Sequence, residues 1–377
     1  MSVELNKLKI LRKEIHSNPE LSGFEKETSE KVSAFLKECN PDEIITNIGG
    51  YGIIATWNGS NTGKEIILRA ELDALPIEEI NQFDYKSKKK NISHKCGHDG
   101  HTTILCGVAQ YLSSHNPNHK VRLLFQPAEE NGEGAKAMME DKLFSNIKPD
   151  FIFALHNLPG YSKNEIVVKE NTFTPAVKSI IINLKGKTSH AAEPEHGINP
   201  ALAVSEILKE CLALENNDAD KDDMSVITPV YIELGEKAYG ISAGEATVHF
   251  TIRCWTNENL DELQKQIENK SSEIALKYNL KIHFDYTQIF HANINTAEAV
   301  DYVKRSAVKN NLKLTEKKYP FKWGEDFGLF TSNFKGCMFG IGSGEDCPAL
   351  HNPDYDFPDE IIETGINIFR GILEEIK

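Results

Sequence analysis

The amino-acid sequence predicts an α/β protein: a mixed, largely parallel sheet flanked by helices, with an inserted α+β domain. Strand-like and helix-like segments alternate in the first part of the chain, the middle breaks this alternation, and the last part returns to it. Alternation is typical of parallel sheets, because a helix carries the chain back to the start of the next parallel strand. We therefore predict one discontinuous domain from residues 1–176 and 286–377 and an inserted domain from residues 177–285.

The first part of the chain opens with an amphipathic pattern over residues 1–16, which predicts a helix. Buried strands are predicted at three short apolar runs, Ile66–Leu68, Val121–Phe125 and Phe151–Leu155. Between the first two runs, the apolar residues from Ile104 to Leu112 recur at helical spacing. This strand–helix–strand order favours a parallel layer.

The middle of the chain shows the order strand, helix, strand, strand, helix, strand, which suits a small α+β domain. Its clearest segments are Ser179–Leu184, Pro200–Leu214, Ala246–Trp255 and Leu260–Tyr278. Proline suits the first turn of a helix, where its missing N–H has no partner to lose. The last part of the chain predicts a further strand at Cys337–Ile341 and a closing helix at Asp359–Ile376.

The composition is that of a globular protein, with 377 residues of which 40% are hydrophobic and 26% charged. A formal net charge of −14 argues against nucleic acid or an anionic membrane as the main partner, because both attract basic surfaces. No apolar run approaches the ~18 residues of a membrane span, and the N-terminus lacks a signal-peptide pattern. Seven scattered cysteines favour a reducing, cytoplasmic location over a disulfide framework.

Polar side chains that follow strands are candidates for a site, because open α/β sheets bind ligands beyond the carboxyl ends of their strands. Thiol, imidazole and carboxylate groups occur at such positions: Asp73, Cys96, His98, Glu129, Glu130, His156 and His351. Taken singly, each has an ordinary explanation as a structural histidine, an inert thiol or a solvated acid. Five strand ends that each carry such a residue indicate a metal site.

Thiolate, imidazole and carboxylate are ligands of zinc and related metals. The predicted ligands are Cys96, His98, Glu130, His156 and His351. Five ligands exceed the needs of one tetrahedral ion and suit two divalent ions that share a bridging water or hydroxide. Glu129, next in the chain to a ligand, would then serve as general base. Asp73 fits the role of orienting a ligand imidazole and fixing its tautomer.

Two other classes of protein stay open at this point. A cysteine hydrolase with Cys96 as nucleophile and a nearby histidine needs no metal, but it leaves the pair Glu129–Glu130 without a role. A non-catalytic protein that binds a small ligand or a partner is the second class. The presence of five predicted ligands together with Glu129 as a general base argues against that class.

These residues and their neighbours carry a family resemblance. The stretches concerned are RKEIHSNPELSGFE (12–25), LRAELDALP (68–76), HKCGHDGHT (94–102), FQPAEENGEGAKAM (125–138), ALHNLP (154–159), GKTSHAAEPEHGINP (186–200), TIRCW (251–255), GEDFG (324–328) and LHNPDYDF (350–357). In content and order they resemble the M20 metallopeptidase clan, most closely its amidohydrolase branch of aminoacylase-like, hippurate-hydrolase-like and auxin-conjugate-hydrolase-like enzymes. The resemblance covers essentially the whole chain.

The resemblance implies a catalytic domain with an inserted lid domain through which two chains form a homodimer. It implies that the five ligands bind two divalent ions and that Glu129 is the catalytic base. His94 and His101 match structural positions. His190 matches a lid histidine that polarises the scissile carbonyl or holds the tetrahedral intermediate, in some relatives across the dimer. Arg253 is a candidate for binding a substrate carboxylate, with an ion pair to a lid acid as its plain alternative.

The activity implied is hydrolysis of the amide bond of an N-acyl amino acid or a related small amide. A dipeptidase or carboxypeptidase of the same clan is the nearest alternative, and the metal would be zinc, manganese, cobalt or nickel. Two departures from the branch bear on the substrate. Glu71 stands where aspartate is common, and Gly240–Ala243 stands where a stretch with a substrate-contacting asparagine is common.

Overall fold

The computed structural model describes residues 3–59 and 63–377. The chain forms two compact units, the first from Met1–Phe173, Asn293–Lys318 and Glu325–Lys377 and the second from Thr174–Ala292 and Tyr319–Gly324. The second unit is thus inserted into the first in sequence. Its short segment Tyr319–Gly324 lies in a stretch that the sequence division had given to the larger domain.

The helices are α1 (Leu5–Ser17), α2 (Lys26–Glu38), α3 (His98–Leu112), α4 (Gly134–Glu140), α5 (Ala201–Leu212), α6 (Asn257–Lys277), α7 (Ala297–Lys309), α8 (Gly328–Thr331) and α9 (Ile362–Glu375). The strands are β1 (Glu43–Ile48), β2 (Gly52–Trp57), β3 (Glu65–Glu71), β4 (Lys120–Gln126), β5 (Phe151–Pro159), β6 (Ile166–Val168), β7 (Asn171–Thr174), β8 (Ala176–Lys185), β9 (Ser189–His190), β10 (Ser225–Leu234), β11 (Ile241–Ser242), β12 (Glu245–Cys254), β13 (Lys281–Phe290), β14 (Asn293–Asn295), β15 (Leu314–Glu316) and β16 (Gly336–Gly344). Short 3-10 turns lie at Pro194–His196 and Asp359–Ile361.

The first unit is built on a mixed sheet with the strand order β1-β2-β4-β3-β5-β16-β6-β15. Its four central strands, β4, β3, β5 and β16, run parallel to one another. Each is almost wholly buried, as expected of parallel strands covered on both faces. This architecture confirms the predicted fold class.

Helices cover the sheet and close its core. Alternate residues of the central strands, such as Leu68, Leu123 and Phe153, share one apolar cluster with Leu8 of α1 and Ile104 of α3. In this layer α1 contacts α3, α3 contacts α9, and α9 contacts α7. The sheet therefore holds the carboxyl ends of its central strands in a rigid frame.

The predicted segments of the first unit are confirmed, with longer bounds for all four strands and with a 3-10 turn in place of the first residues of the closing helix. The predicted N-terminal helix appears as α1 from Leu5, and residues 1–2 lie outside the described residues. The strand predicted at Phe151–Leu155 continues to Pro159, because β16 pairs with β5 along that whole length. The idea that His156 follows this strand is therefore wrong, since His156 lies within it. Sequence reasoning gave no strand for the antiparallel hairpin of β1 and β2.

The second unit has a four-stranded antiparallel sheet in the order β10-β12-β8-β13. The helices α5 and α6 contact each other and strands of this sheet. The strand–helix–strand–strand–helix–strand order predicted from sequence is confirmed by β8, α5, β10, β12, α6 and β13. In neither unit does a described helix combine the length and the apolar character needed to cross a bilayer.

Candidate metal centre

The register of the central strands brings the predicted site residues to one edge of the sheet. Glu71, the last residue of β3, pairs with Gln126, the last residue of β4. Arg69 of β3 pairs with Ala154 of β5, which places His156 level with the end of β3. The loops that follow β3 and β4 therefore begin beside this histidine.

The loop before α3 carries Cys96 and is shaped by a glycine. Gly97 has a φ of 100°, and a Cβ atom on this residue would lie 2.4 Å from Oδ1 of Asn157. Only glycine accepts both this backbone conformation and this close approach. The backbone N–H of His351 donates to the carbonyl of Lys95 at 2.8 Å, which ties the distant loop of His351 to the loop of Cys96.

Asp73 orients the imidazole of His98. Nδ1 of His98 lies 3.1 Å from Oδ1 of Asp73 and 3.0 Å from its carbonyl oxygen, so this nitrogen carries the proton and donates. Nε2 then points the other way, and no described residue gives it a hydrogen bond. Nε2 of His98 lies 3.8 Å from Oε2 of Glu129 and also 3.8 Å from Oε1 of Glu130.

His156, like His98, directs its Nε2 atom into the cluster, here toward the thiol of Cys96. Its Nδ1 lies 2.8 Å from the carbonyl of Asn157, and its Nε2 lies 3.5 Å from Sγ of Cys96. On the other side of the cluster, Nε2 of His351 lies 3.7 Å from Oε2 of Glu130. Each histidine thus directs Nε2 at a thiol or carboxylate.

The potential ligand atoms form overlapping groups in which all atoms lie within 4.8 Å of one another. Three of these groups contain only predicted residues: Cys96, His98 and His156; Cys96, Glu130 and His351; and His98, Glu129 and Glu130. Two further groups adjoin them: Glu71, His98 and His101; and Glu129, Glu325 and Asp326. All five ligands predicted from the sequence, together with the predicted base, are thus brought together. Because the groups share Cys96, His98 and Glu130, they form one continuous cluster.

The cluster has the chemistry of a site that needs cations. Oε1 of Glu130 and Nε2 of His98 are buried, and neither has a hydrogen-bond partner among the described residues. Burial, with the charges of Glu325 and Glu130, raises the pKa of Glu129 well above its usual range, and burial raises that of Glu130 to about 7. A divalent cation would compensate this buried negative charge, so the residues present fit a metal centre.

Burial, together with the charges of Glu130 and Glu129, also raises the pKa of the Cys96 thiol well above its usual value. Reactive cysteines have the opposite environment, an electropositive one that lowers the pKa. A metal ion would make this sulfur a thiolate ligand, whereas the protein alone keeps it a thiol. The surroundings of Cys96 therefore favour a ligand over the nucleophile of a cysteine hydrolase.

Beneath the cluster lies a buried network that sequence reasoning missed. The guanidinium of Arg69, fully enclosed, donates to Glu325 at 2.9 Å and to Asp326 at 2.7 Å, and it forms an ion pair with Glu71. The backbone N–H of Asp326 in turn lies 3.4 Å from Oε1 of Glu129. The matched stretch GEDFG was the available signal, but nothing in the sequence pairs it with an arginine of β3.

Glu71, which stands where the amidohydrolase branch commonly has aspartate, belongs to this network. Its carboxylate accepts from Nδ1 of His101 at 2.8 Å, and the His101 ring packs edge-on against that of His156 at 4.9 Å between centroids. Glu71 therefore links the buried arginine to an imidazole beside the cluster. His94 is also enclosed, and burial lowers its pKa to about 3, which fits a neutral structural ring.

The two remaining candidates lie in the second unit. His190 is exposed in the short strand β9, where it pairs with Ile241 of the departing stretch Gly240–Ala243. Its Nδ1 accepts the N–H of Ala192 at 3.1 Å, so a neutral ring carries its proton on Nε2. Arg253 donates to the carbonyl of Lys322 at 3.0 Å.

A parallel sheet that gathers imidazoles, carboxylates and a thiol at its strand ends defines a class of protein, the metal-dependent hydrolases. Comparison with known proteins then identifies the family. The model of peptidase family M20/M25/M40 matches residues 67–375, and the chain belongs to this family. The resemblance stated from the motifs is thereby confirmed.

Relatives with curated descriptions match nearly end to end. A hippurate hydrolase of Campylobacter jejuni is 33% identical over 366 residues, covering 96% of this chain and 94% of the relative. An N-acetyldiaminopimelate deacetylase of Bacillus subtilis is 28% identical, covering 98% of both chains. These relatives are named as hydrolases of amide bonds, in agreement with the predicted enzyme class.

Solved structures show the same fold. The YXEP protein of Bacillus subtilis, described as a dinuclear metal binding peptidase of the M20 family, is 25% identical with a TM-score of 0.83, covering 98% of this chain and 97% of its own. A putative aminohydrolase from methicillin-resistant Staphylococcus aureus has a TM-score of 0.88 at 22% identity and covers 99% of this chain and 97% of its own.

Proposed function

We propose that this protein is a metal-dependent amidohydrolase that cleaves the amide bond of N-acyl amino acids or related small amides. The observation that carries the proposal is the convergence of five potential ligands and one further carboxylate, Glu129, at the carboxyl ends of the central strands. Family membership and the description of the YXEP protein as a dinuclear metal binding peptidase support two ions per chain.

The five potential ligands suit two neighbouring metal ions. Cys96, His98 and His156 form one group of potential ligand atoms, and Cys96, Glu130 and His351 form a second, so these residues would hold the ions. When bound, the ions would polarise the amide carbonyl and make water more acidic.

Glu129 is the proposed proton carrier. One of its oxygens lies 3.8 Å from Nε2 of His98, and the other is 3.4 Å from the N–H of Asp326. It would take a proton from water as the oxygen of that water bonds to the acyl carbon. It would then give the proton to the amide nitrogen as the carbon–nitrogen bond breaks, which releases a carboxylic acid and an amine.

His190 and Arg253 are proposed to act on the substrate. Because the Nδ1 atom of His190 accepts the N–H of Ala192, its Nε2–H is available to donate to an oxyanion. Arg253 would bind a carboxylate of the substrate, since the planar guanidinium matches that group. A hippurate and an N-acetyl amino acid both carry such a carboxylate, so the names of the relatives support this substrate class.

We also propose that the second unit mediates a homodimer through strand β10. This strand is at the edge of its sheet and leaves large apolar side chains partly exposed: Val230, Tyr231, Ile232 and Leu234. An apolar edge strand without a partner invites pairing with another chain. Pairing of two β10 strands around a two-fold axis would satisfy this edge in both copies.

A substrate panel on metal-loaded protein tests the proposed activity. Chelated protein is reloaded separately with zinc, manganese, cobalt or nickel, and N-acetyl and N-benzoyl amino acids are compared with free dipeptides. We expect cleavage of the acylated amino acids, two ions per chain by elemental analysis, and loss of activity on chelation.

Faster cleavage of free dipeptides would replace the proposed substrate class by that of a dipeptidase. A different outcome is that chelated protein keeps full activity and then loses it on thiol alkylation. That result would overturn the metal mechanism in favour of a cysteine nucleophile. Binding of two ions without cleavage of any member of the panel would contradict the proposed activity on acylated amino acids.

A further inference from the structure

We propose that Glu25 is a positioning residue that sets the backbone of the loop carrying Glu129. This inference rests on the proposed function, because it assigns a role in placing the proposed base. The residue belongs to the matched stretch NPELSGFE, which neither the metal cluster nor the mechanism above has used.

The loop between β4 and α4 has an unusual backbone at Ala128. This residue has a φ of 52°, in the left-handed region that residues other than glycine seldom adopt. A turn follows at once, with the N–H of Gly132 donating to the carbonyl of Glu129 at 2.8 Å. Such a conformation persists only where the surroundings enforce it, and it occurs often at functional sites.

Two buried carboxylates hold this loop on either side of Glu129. The N–H of Ala128 donates to Oε1 of Glu25 at 2.8 Å, and the N–H of Glu130 donates to Oδ2 of Asp73 at 2.9 Å. The carbonyl of Ala128 accepts from Gly134 at 2.9 Å. Three consecutive peptide units around the proposed base are thus each held by a hydrogen bond, two of them to side chains from elsewhere in the chain.

Glu25 is placed for this contact by its own loop. The residue has no solvent exposure, and its Oε1 also accepts the N–H of Gly23 at 2.8 Å. Its other oxygen, Oε2, is buried without a hydrogen-bond partner in the described structure. Burying a carboxyl oxygen without a hydrogen-bond partner lowers the stability of the fold. A contribution to stability alone therefore does not explain why a glutamate is buried at this position.

The same stretch offers a matched control in Glu20. This buried carboxylate also accepts a backbone N–H, that of Thr28 at 2.8 Å, together with the Thr28 hydroxyl at 2.9 Å. Its acceptor oxygen therefore caps α2 and does not touch the loop of Glu129. Changes at Glu20 report on stability of this region without moving the base.

The test compares the variants Glu25→Asp and Glu25→Gln. Aspartate keeps the charge but withdraws the carboxylate by about 1.5 Å, roughly one carbon–carbon bond, whereas glutamine keeps the acceptor oxygen at full reach. We expect Glu25→Asp to lower kcat by ~10- to 100-fold with little change in KM or metal content, as displaced catalytic groups do. We expect Glu25→Gln to retain most of kcat, and Glu20→Asp to retain kcat while losing stability.

Hydrogen exchange of the Ala128 amide gives a readout that needs no substrate. It should be protected in the wild type and in Glu25→Gln and should exchange faster in Glu25→Asp, because only the last loses the acceptor. If Glu25→Asp does not fold, protection in the wild type and in Glu25→Gln still tests the contact.

Wild-type kcat in folded Glu25→Asp would overturn the proposal. So would a larger loss of kcat in Glu25→Gln than in Glu25→Asp, since aspartate keeps the charge and this result would point to charge instead of reach. Fast exchange of Ala128 in the wild type would overturn it as well. An inactive wild type with normal exchange would instead count against the proposed function, so the two failures are distinguishable.

Discussion

Oδ1 of Asp73 lies 3.1 Å from Nδ1 of His98, while Oδ2 of the same carboxylate accepts the N–H of Glu130 at 2.9 Å. One buried aspartate thus orients a proposed imidazole ligand and the backbone of a proposed carboxylate ligand. Burial opposes a charged pair, yet the hydrogen bond to Asp73 and the nearby carboxylates raise the pKa of His98 to about 10. Loss of such a partner of a ligand typically weakens metal binding by about 10- to 100-fold.

We predict that Asp73→Ala weakens metal binding by about 10- to 100-fold, because the His98 ring loses its orientation and its basic character. Competition with a chelator of known affinity measures the change. Asp84→Ala is the matched control, since this aspartate is exposed and should leave affinity unchanged. Equal affinities in the wild type and Asp73→Ala would show that the imidazole needs no orienting partner.

Glu129→Gln should lower kcat by at least ~1,000-fold, because general base catalysis and the return of the proton are both lost. Metal content should stay at two per chain, since the neighbouring carboxylate is the proposed ligand. Glu133→Gln, a change at an exposed glutamate of the same loop, should keep wild-type kcat. Near-normal turnover by folded Glu129→Gln would remove this residue from the mechanism.

Arg69→Met should destabilise the fold by about 3–5 kcal/mol, the usual cost of leaving buried carboxylates without their cation. Arg69 has no exposed side-chain surface and serves Glu71, Glu325 and Asp326 at once. Arg122→Met is a fair control, because Arg122 lies in the neighbouring strand but its carboxylate partner at 2.7 Å, Glu65, is partly exposed. Urea unfolding of chelated protein measures the free energy of unfolding of both variants. Similar decreases in Arg69→Met and Arg122→Met would contradict the prediction that the buried network around Arg69 contributes more to stability.

The stability of the protein should fall as pH rises from about 6.5 to 9 because of His16. Burial alone would lower its pKa, but hydrogen bonds to Asp99 at 2.9 Å and Glu79 at 3.1 Å raise it from 6.5 to about 9. The protonated ring therefore stabilises the folded state fully below pH 6.5, and this contribution, at most about 3 kcal/mol, is lost as pH rises through 9.

Urea unfolding of chelated protein across this pH range measures the effect of His16. His16→Gln should be less stable at pH 6 and should lack the decline between pH 6.5 and 9. His115→Gln, which changes an exposed histidine after α3, should keep the wild-type decline. An unchanged slope in His16→Gln would assign the decline to other groups.

Ile232→Lys should convert the proposed homodimer into a monomer, because a charged side chain on an edge strand opposes pairing with another strand. Light scattering during gel filtration measures the mass. Ile289→Lys is the matched control, since Ile289 has similar exposure on the opposite edge strand, β13. A monomeric wild type at micromolar concentration would contradict the proposed dimer.

The amino-acid sequence by itself determined the fold class and the chemical character of the site. Short continuous apolar runs mark the central strands, since burial on both faces requires apolar residues at successive positions. Residue types then mark the site, because Cys96 and His98 at the start of a helix and Glu129 and Glu130 after a strand are all of the types that bind metals. These signals are local, so they can be read along the chain.

Only the tertiary structure decided which groups support the site. Arg69 and Glu325 are 256 positions apart in sequence, and Glu25 reaches Ala128 across 103 positions. A buried charge or acceptor has no periodic signature, because its partner is chosen by the packing of strands and loops. The left-handed backbone at Ala128 is likewise enforced by a distant carboxylate, so the order of residues around it could not reveal it.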